Sequence, residues 1–220
     1  TLCVGTSDGV LRLIQLCSVK GEDRPSVTQR IQVLDDALTS VLPLSYKEVL
    51  CMSGTALALL ENGTMKAKVD FLAGTLLVRA TPNTVLVSTS VGTIKWWQIR
   101  PFKKLDSAEV SIVEKIIGIH KLEVMKNSDH ASLEDIEPET SIEDDEFDKI
   151  PSLWLVVTET AIFFLSLPSF ELKTALSFSR RQVPRITASH VYDTTCWLAC
   201  ADGSVRSYKI QLGTYTMMEG

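Results

Sequence analysis

Short runs of apolar residues separated by turn residues dominate the hydrophobic pattern of this chain. Five of these runs form paired phrases around a turn, namely LCVGTSDGVLRLIQL, VLCMSGTALALLE, TVLVSTSVGTIKWWQI, LWLVVTETAIFFLSL and CWLACADGSVRSYKI. Beyond the turn the pattern is Gly-x-h-x-h-h-x-h, where h is apolar or aromatic, with drift between copies. Each phrase predicts two antiparallel strands joined by a tight turn. At Asp8-Gly9 and Asp202-Gly203 we expect two-residue type I′ turns, which need positive φ at both central residues.

The stretches between the hairpins predict further strands. Alternating or apolar runs place these strands at residues 27–34, 37–45, 65–72, 76–81, 172–179, 186–192 and 212–218. Residues 19–26 and 101–106 are polar and are predicted to be connections. Residues 110–124 are apolar enough for two strands, and a short helix there is an open alternative.

The turn residues recur at a regular spacing. They are Gly9, Gly54, Gly92, Thr160 and Gly203, with separations of 45, 38, 68 and 43 residues. Removing residues 126–150 shortens the long interval to 43. A period near 40 to 45 with about four strands is typical of β-propeller blades, so we predict an all-β propeller with about five blades.

The predicted propeller segment covers residues 1–220. The chain starts directly on a strand that corresponds to the second strand of a blade, and it has no initiator Met. Five repeats could close a five-bladed ring. A partial cut from a seven-bladed or double propeller, within a longer protein, is the preferred interpretation.

Residues 126–150 are predicted to be a disordered acidic loop inserted in the propeller. Ten of the 27 acidic residues lie between Asp129 and Asp148, where there is no Lys or Arg, which leaves 17 acidic against 22 basic residues elsewhere. A solvated loop is one interpretation. Regulation is the other, because Ser132 and Ser141 each precede an acidic residue by three positions and are candidate phosphorylation sites.

Catalysis is not expected from the sequence. The three histidines are scattered, and no Gly-rich phosphate loop occurs. Cys196 and Cys200 lie on one predicted strand, about 13 Å apart, too far to share a metal ion, so core packing is expected. The hairpin turns offer only Asp8, Glu159 and Asp202 as acids. We therefore predict no enzyme, no cofactor and no metal, and the odd number of cysteines favours a reduced, intracellular chain.

Two basic clusters are candidate partner-binding sites. One contains Arg180, Arg181 and Arg185, and the other contains Arg100, Lys103 and Lys104. Solvated loop charge is the plain interpretation. The functional one is contact with an acidic helix, an anionic lipid or the acidic insert. Nucleic acid is not an expected partner, because neither cluster has interleaved aromatic residues. No apolar run reaches the roughly 18 residues of a transmembrane helix.

The turns and the strands that follow them resemble those of WD40 repeats. Thr6-Ser7-Asp8-Gly9 and Thr89-Ser90-Val91-Gly92 resemble that family's Ser-x-Asp-Gly turn. Its usual tryptophan column corresponds to Ile14, Leu59, Trp97, Leu165 and Tyr208, of which only Trp97 keeps the residue. No Trp-Asp or Gly-His dipeptide occurs. The usual Trp-Ser-His-Asp network therefore cannot form, and apolar packing must hold the blades.

A narrower resemblance begins at Leu153 and covers about 60 of the 220 residues. The segment LWLVVTETAIFFLSLPSFELKTAL resembles the second propeller of the lethal giant larvae and tomosyn family. The matching residues are Thr158, Glu159, Phe164, Ser166, Leu167, Pro168 and Ser169, followed by Cys196, Leu198, Ala199 and Cys200. Trp197 departs from the family phrase.

This resemblance implies a non-catalytic double-propeller scaffold that binds plasma-membrane SNAREs and regulates exocytosis, vesicle traffic and cell polarity. A cytoplasmic location follows, with peripheral contact at the plasma membrane as an alternative. A second hypothesis is an interaction propeller of another large signalling or trafficking protein, such as a GTPase regulator, a kinase or a coat subunit.

Overall fold

A computed structural model describes residues 2–19, 22–71, 73–122, 152–179, 183–212 and 214–219. These ranges contain 19 β-strands and no helix. The chain divides into two compact units, residues 1–115 and 116–220. The acidic insert at 126–150 with Ser132 and Ser141, as well as Arg180 and Arg181, lies outside the described residues.

The first unit contains three antiparallel sheets. The first sheet contains β1 (Leu2–Gly5), β2 (Val10–Val19) and β3 (Glu22–Gln32). The second sheet contains β4 (Leu38–Pro43), β5 (Glu48–Ser53), β6 (Ala56–Glu61) and β7 (Thr64–Asp70). The third sheet contains β8 (Gly74–Arg79), β9 (Thr84–Thr89), β10 (Thr93–Gln98) and β11 (Lys103–Ser111). Each strand pairs with its neighbour in sequence, as in a β-propeller blade.

The second unit contains two four-stranded sheets with the same topology. The fourth sheet contains β12 (Ile116–Leu122), β13 (Ser152–Thr158), β14 (Ala161–Leu167) and β15 (Glu171–Ser177). The fifth sheet contains β16 (Ile186–Tyr192), β17 (Thr195–Cys200), β18 (Val205–Gln211) and β19 (Thr216–Glu219). All five predicted hairpins are confirmed, as the pairs β1–β2, β5–β6, β9–β10, β13–β14 and β17–β18.

Three secondary-structure predictions are wrong. Residues 19–26, predicted as a connection, lie largely in β2 and β3, which pair out to Val19 and Glu22. Part of the predicted connection at 101–106 belongs to β11, and the helix alternative for 110–124 fails because that range holds the end of β11 and all of β12. Both misread strands, β3 and β11, are the outermost of their sheets. A polar sequence is compatible with such a strand because its outer edge faces solvent.

The hairpin turns at Asp8-Gly9 and Asp202-Gly203 are not type I′. Only the glycines have positive φ, 77° at Gly9 and 82° at Gly203. In each turn the glycine N–H donates a hydrogen bond to the carbonyl three residues earlier, at Thr6 (3.2 Å) and Cys200 (3.0 Å). This geometry is a three-residue loop, a type I turn followed by a left-handed glycine. The turn at Gly92 has the same form.

Two-residue loops close the hairpins of the second and fourth sheets. In the second sheet the Ser53 hydroxyl accepts hydrogen bonds from the N–H groups of Thr55 and Ala56, both at 3.1 Å. In the fourth sheet Thr158 Oγ1 accepts one from the Ala161 N–H at 2.9 Å. A side-chain oxygen thus replaces the left-handed glycine in these two turns.

The place of Gly54 within its loop corrects one member of the predicted tryptophan column. Trp97 pairs with Val85, which lies four residues before the end of β9. The equivalent pair in the second sheet is Leu60 with Val49, four residues before the end of β5. Leu59, the predicted member, faces the third sheet, whereas Leu60 faces the first. Counting from Gly54 treated this glycine as the last residue of its loop, as Gly9 and Gly92 are, whereas Gly54 is the first residue of the loop 54–55. The count is therefore shifted by one residue, which moves a strand position to the opposite face.

Apolar packing between neighbouring sheets forms the core. In the first unit, buried residues of the first and second sheets form one cluster, Leu11, Val33, Leu34, Cys51, Ala56, Ala58 and Leu60. The second and third sheets form another, which includes Leu50, Met52, Leu57, Leu59, Leu77, Val85, Val87 and Trp97. In the second unit, the fourth and fifth sheets pack through Leu155, Val157, Ile162, Phe164, Ile186, Leu198 and Tyr208.

The predicted core position of the cysteine pair is confirmed. Cys196 and Cys200 are both buried in β17. Burial raises the pKa of the Cys196 thiol to about 12, so this thiol stays protonated at neutral pH. The pair therefore acts as a small apolar component of the core.

We expect Trp97→Ala to lower the free energy of unfolding by about 3–5 kcal/mol, because it removes a large buried side chain. The Trp97 ring is 7% exposed and packs against Phe71 and Phe102, with ring centroids 6.0 and 5.7 Å away. Urea unfolding followed by circular dichroism measures the change. Trp197→Ala is the matched control, since Trp197 is 46% exposed and its loss should cost about 1 kcal/mol or less. Equal losses for the two variants would contradict the assignment of Trp97 to the core.

Three glycine-to-alanine variants separate backbone strain from crowding at the turns. Gly54→Ala should be neutral within about 0.5 kcal/mol, since Gly54 has no positive φ and a Cβ there meets nothing within 4 Å. Gly203→Ala should cost about 1–2 kcal/mol from its positive φ alone, because the space around it is open. Gly92→Ala should cost more, since its Cβ would also overlap the Glu114 carbonyl. Urea midpoints in any other order would contradict this explanation.

Candidate functional site

A cleft of about 590 Å³ lies between the first and second sheets. Its floor is apolar and consists of Leu11, Leu13, Ile31, Val49 and Leu60. Its rim is polar and includes Thr28, Gln29, Ser45, Tyr46, Lys47, Asn62 and Gly63. A cavity of this size, with an apolar floor and polar groups at its mouth, is typical of a binding site.

The loop between β4 and β5 holds an exposed tyrosine at the edge of the cleft. Tyr46 is 91% exposed, and Lys47 Nζ lies 5.1 Å from the centre of its ring. The Ser45 hydroxyl accepts hydrogen bonds from the N–H groups of Lys47 (3.2 Å) and Glu48 (3.1 Å). The Leu44 N–H donates to the Glu48 carbonyl at 2.9 Å. Residues 44–48, here called the Tyr46 loop, are thus fixed by their own hydrogen bonds.

Two arginines of the third sheet hold the Tyr46 loop from behind. Arg79 Nη1 donates a hydrogen bond to the Leu44 carbonyl at 2.7 Å, and its Nη2 donates to the Pro82 carbonyl at 3.2 Å. The Arg100 guanidinium donates to both carboxylate oxygens of Glu48. Both contacts come from Arg100 Nη2, so a single guanidinium nitrogen bridges the Glu48 carboxylate. Arg100 was predicted to belong to a basic partner-binding cluster. In the structure it contacts this loop through Glu48.

Asn83 in turn fixes the backbone of Arg100. Its side chain is buried, its Oδ1 accepts from the Arg100 N–H at 3.0 Å, and its Nδ2 donates to the Arg100 carbonyl at 2.9 Å. Hydrogen bonds therefore run from the third sheet through Arg100 to Glu48. This connection links the Tyr46 loop to the third sheet.

The Asn62-Gly63 turn forms the opposite lip of the cleft. The φ values are 51° at Asn62 and 76° at Gly63, as a type I′ hairpin turn requires. The Asn62 N–H donates to the Lys47 carbonyl at 2.7 Å. A Cβ atom on Gly63 would lie 2.7 Å from Gln29 Nε2 of the first sheet. The two sheets thus approach each other closely at this end of the cleft.

The predicted basic residues are found in separate places. Lys104 Nζ forms an ion pair with Glu109 at 2.6 Å, and its hydrogen bond lowers the pKa of the Glu109 carboxyl. Arg185 Nη1 lies 3.7 Å from Glu159 Oε1, as an ion pair. Lys103 is exposed on β11, and it has no carboxylate partner within the described ranges. Lys103 and Lys104 belong to the first unit, and Arg185 belongs to the second. The role of these residues in partner binding stays a prediction.

The carboxylates of the hairpin turns have structural partners. The Thr6 hydroxyl donates a hydrogen bond to Asp8, and Asp202 accepts from the Ser204 N–H (3.0 Å) and hydroxyl (2.7 Å). These hydrogen bonds lower the pKa of both aspartates. Capping a turn accounts for the presence of both acids.

The structure also forms a serine–histidine contact that the sequence order does not suggest. His120 Nε2 lies 2.8 Å from Ser189 Oγ, between the fourth and fifth sheets. A Cβ atom on Gly118 would overlap Ser189 Oγ and would lie 2.7 Å from His120 Nε2, so glycine at this position leaves room for the contact. Burial, followed by the nearby His190, lowers the pKa of His120. The hydrogen bond joins β12 to β16.

Two features are absent from the described residues. No group of three or more His, Cys, Asp or Glu side chains there could hold a metal ion. Nor does any described helix have the length and apolar character needed to cross a membrane. The prediction that the chain is not an enzyme stays a prediction.

Sequence reasoning missed Tyr46, Lys47 and Arg79. The signal for the first two was an aromatic and a basic residue in a short polar turn between apolar strands, SYK after a predicted strand. Nothing in the sequence showed that this turn lies beside a cleft, because the opposite wall comes from the first sheet. The role of Arg79 depends on a contact with Leu44, 35 residues away.

Solved structures identify the fold. The chain is similar to the WD40 β-propeller domain of Doa1, with a TM-score of 0.63 and 12% identity over 94% of this chain and 62% of that one. It is also similar to BBS1N in complex with ARL6DN (TM-score 0.62, 13% identity, 96% and 61% covered). A third match is a chain of the mitotic checkpoint complex (TM-score 0.63, 8% identity, 94% and 58% covered).

These likenesses show that the chain has a WD40-like β-propeller fold. It spans about three fifths of the length of these three solved chains. No protein-family profile matches the sequence, and no curated protein does.

We expect Arg79→Met to loosen the Tyr46 loop. The change removes the hydrogen bond from Arg79 to the Leu44 carbonyl. If this bond stabilises the closed loop by about 1 kcal/mol, its loss makes hydrogen exchange at the Lys47 and Glu48 amides about fivefold faster. Exchange measured residue by residue by NMR checks this. Lys68→Met, at an exposed position on β7, is the control and should leave both amides unchanged. Unchanged exchange in Arg79→Met would show that the loop is held without this arginine.

Proposed function

We propose that this chain is a protein-interaction scaffold that binds its partners at the cleft and the Tyr46 loop. The observation that carries the proposal is an almost fully exposed tyrosine on a loop fixed by Arg79 and Arg100, beside an apolar cavity of about 590 Å³. Each part of this arrangement contributes something that protein binding needs.

Preorganisation favours binding at this loop. Ordering a flexible loop on association costs free energy, and the hydrogen bonds at Ser45 and Leu44 remove most of that cost. Tyrosine is enriched among residues that dominate interface energies, because its ring is large, rigid and amphipathic. Lys47 beside the ring adds a charge that selects among partners.

The neighbours in fold space support a scaffold role. Two of the similar propeller chains come from structures of protein complexes, BBS1N with ARL6DN and the mitotic checkpoint complex. The same kind of role for this chain is part of the proposal.

A narrower version of the proposal is membership of the lethal giant larvae and tomosyn family, with SNARE binding in exocytosis, vesicle traffic and cell polarity. Its support is the sequence phrase from Leu153 to Ser169 and the strand Cys196 to Cys200. Several of these residues have structural tasks in the fold, since Thr158 caps a turn and Phe164 and Cys196 are buried. The SNARE part therefore depends on the resemblance alone.

An interaction propeller of a GTPase regulator, a kinase or a coat subunit is the alternative. It is consistent with the same cleft and does not require the family phrase. In either case the proposed location is the cytoplasm, with peripheral contact at the plasma membrane in the SNARE version.

The test compares two tyrosines of similar exposure. Tyr46→Ser should lose proteins that the wild-type chain captures from cells, because it removes the exposed ring at the cleft. Tyr192→Ser is the matched control, since Tyr192 is 75% exposed in the second unit and should leave capture unchanged. Quantitative mass spectrometry of the captured proteins measures both. Equal capture by wild type and Tyr46→Ser would overturn the assignment of function to this site.

A second arm separates the two versions. Purified plasma-membrane SNARE helices should bind the wild-type chain directly if the narrower version holds. Absence of binding, together with Tyr46-dependent capture of other proteins, would leave the scaffold and remove the SNARE assignment.

A further inference from the structure

We propose that the cleft binds an extended peptide segment of a partner, in which a large apolar side chain is followed or preceded closely by an acidic residue. This inference rests on the proposed scaffold function and gives the chemistry of the ligand. Three features of the cleft, its floor, its two carboxamides and its charge, each specify one part of that ligand.

The floor of the cleft requires an apolar anchor. Leu13, Ile31 and Val49 are only partly buried there, although each sits on a strand that packs against the core. A volume of about 590 Å³ is within the range of small ligand sites and is sufficient for one or two side chains of the size of leucine or phenylalanine. Covering this surface with an apolar side chain removes it from water, which is the main favourable term in association.

The cleft lies at the position of the tryptophan column where the second sheet has leucine. Leu60 in the second sheet is equivalent to Trp97 in the third, where the indole fills the space between the second and third sheets. Leu60 lines the cleft and is smaller than an indole, so the corresponding space between the first and second sheets is not filled.

Two carboxamides at the mouth suit a peptide backbone. Gln29 lies on the first sheet and Asn62 on the turn of the second, and both are exposed. Neither side chain makes a hydrogen bond to another residue within the part of the chain described. Each carboxamide offers donors and an acceptor, the complement of the N–H and C=O of an extended chain.

The shape of the mouth favours an extended segment over a folded surface. Gln29 Nε2 and the Gly63 backbone nearly touch at one end, so the walls converge there. A single extended chain can lie between the two lips and insert one side chain. A flat folded surface would contact Tyr46 and leave the floor uncovered.

Charge at the mouth selects an acidic neighbour. Glu48 is neutralised by Arg100, and Glu61 pairs with Lys66 at 3.2 Å. Lys47 is exposed, and its ammonium group lies over the Tyr46 ring without a carboxylate partner among the described residues. A carboxylate on the peptide, close to the apolar anchor, would meet this cation.

Selection from a phage-displayed library of random 12-residue peptides tests the proposal on the whole chain. Peptides that bind should share a large apolar residue next to Asp or Glu. A synthetic peptide of that sequence, labelled with a fluorophore, should lose about tenfold or more in affinity towards Lys47→Glu and Gln29→Ala, measured by fluorescence polarisation. Exchanging the acidic residue of the peptide for lysine should restore binding to Lys47→Glu and weaken it for the wild type.

Leu60→Trp tests the floor separately. Its indole should occupy the cleft as Trp97 occupies the equivalent space, and peptide binding should fall below detection while the circular dichroism spectrum is retained. If this variant does not fold, Gln29→Ala and the charge exchange at Lys47 still decide the question, because both positions are exposed. Tyr192→Ser and Lys209→Glu, exposed changes in the fifth sheet, are the controls and should bind as the wild type does.

The outcomes distinguish this inference from the proposed function. Peptides without the apolar–acidic pair, or a peptide bound equally well by Lys47→Glu and the wild type, would overturn the ligand chemistry. An empty selection with Tyr46-dependent capture of proteins from cells would also overturn it, and would point to a folded partner surface while the scaffold survives. An empty selection without Tyr46-dependent capture would overturn both.

Discussion

Apolar packing of one sheet against the next is the interaction on which this structure depends. The second sheet shows the constraint clearly, because both of its faces are buried. Cys51, Ala58 and Leu60 face the first sheet, while Leu57 and Leu59 on the neighbouring positions face the third. A single sheet of this kind could not keep both faces from water, so each sheet requires its neighbours. This is why the strands read as nearly continuous apolar runs, and why the chemistry of the chain lies in the loops and at the edges of the sheets.

The same packing explains what the sequence could predict. Strands that are buried on both faces, such as β5, β9 and β13, are strongly apolar, and the hairpins around them could be located from the sequence. The outermost strands β3 and β11 are polar along much of their length, because they lie at the edges of their sheets, where one side can face solvent. The lengths of the hairpin loops could not be predicted from the sequence either. Ser53 and Thr158 close their turns with a hydroxyl, and no local pattern reveals that this saves one residue relative to the glycine turns.

The candidate site could be predicted far less well than the fold, and Arg100 is an example. Charge clusters along the sequence suggested where partners bind, but a side chain's partner is set by the tertiary structure. Arg100 pairs with Glu48, 52 residues earlier in the chain, and Lys104 and Arg185 also have carboxylates beside them. Tyr46 was overlooked because a lone tyrosine in a turn is unremarkable in sequence. Its significance comes from the arginines behind it and the cleft beside it, which belong to three different sheets.

The two inter-sheet spaces of the first unit show how a binding site can arise without weakening the fold. Between the second and third sheets, Trp97 packs with Phe71 and Phe102 and fills the available volume. Between the first and second sheets, Leu60 takes the equivalent position, and the neighbouring core residues Cys51 and Ala58 are small. The sheets stay in contact through these small residues, while the space above Leu60 opens to solvent. The well-filled interface also carries Arg79 and Arg100, which hold the Tyr46 loop over the open one. A well-filled interface on one side of the second sheet therefore lies opposite an incompletely filled one on the other. In the first unit this difference corresponds to leucine at position 60 where the third sheet has Trp97.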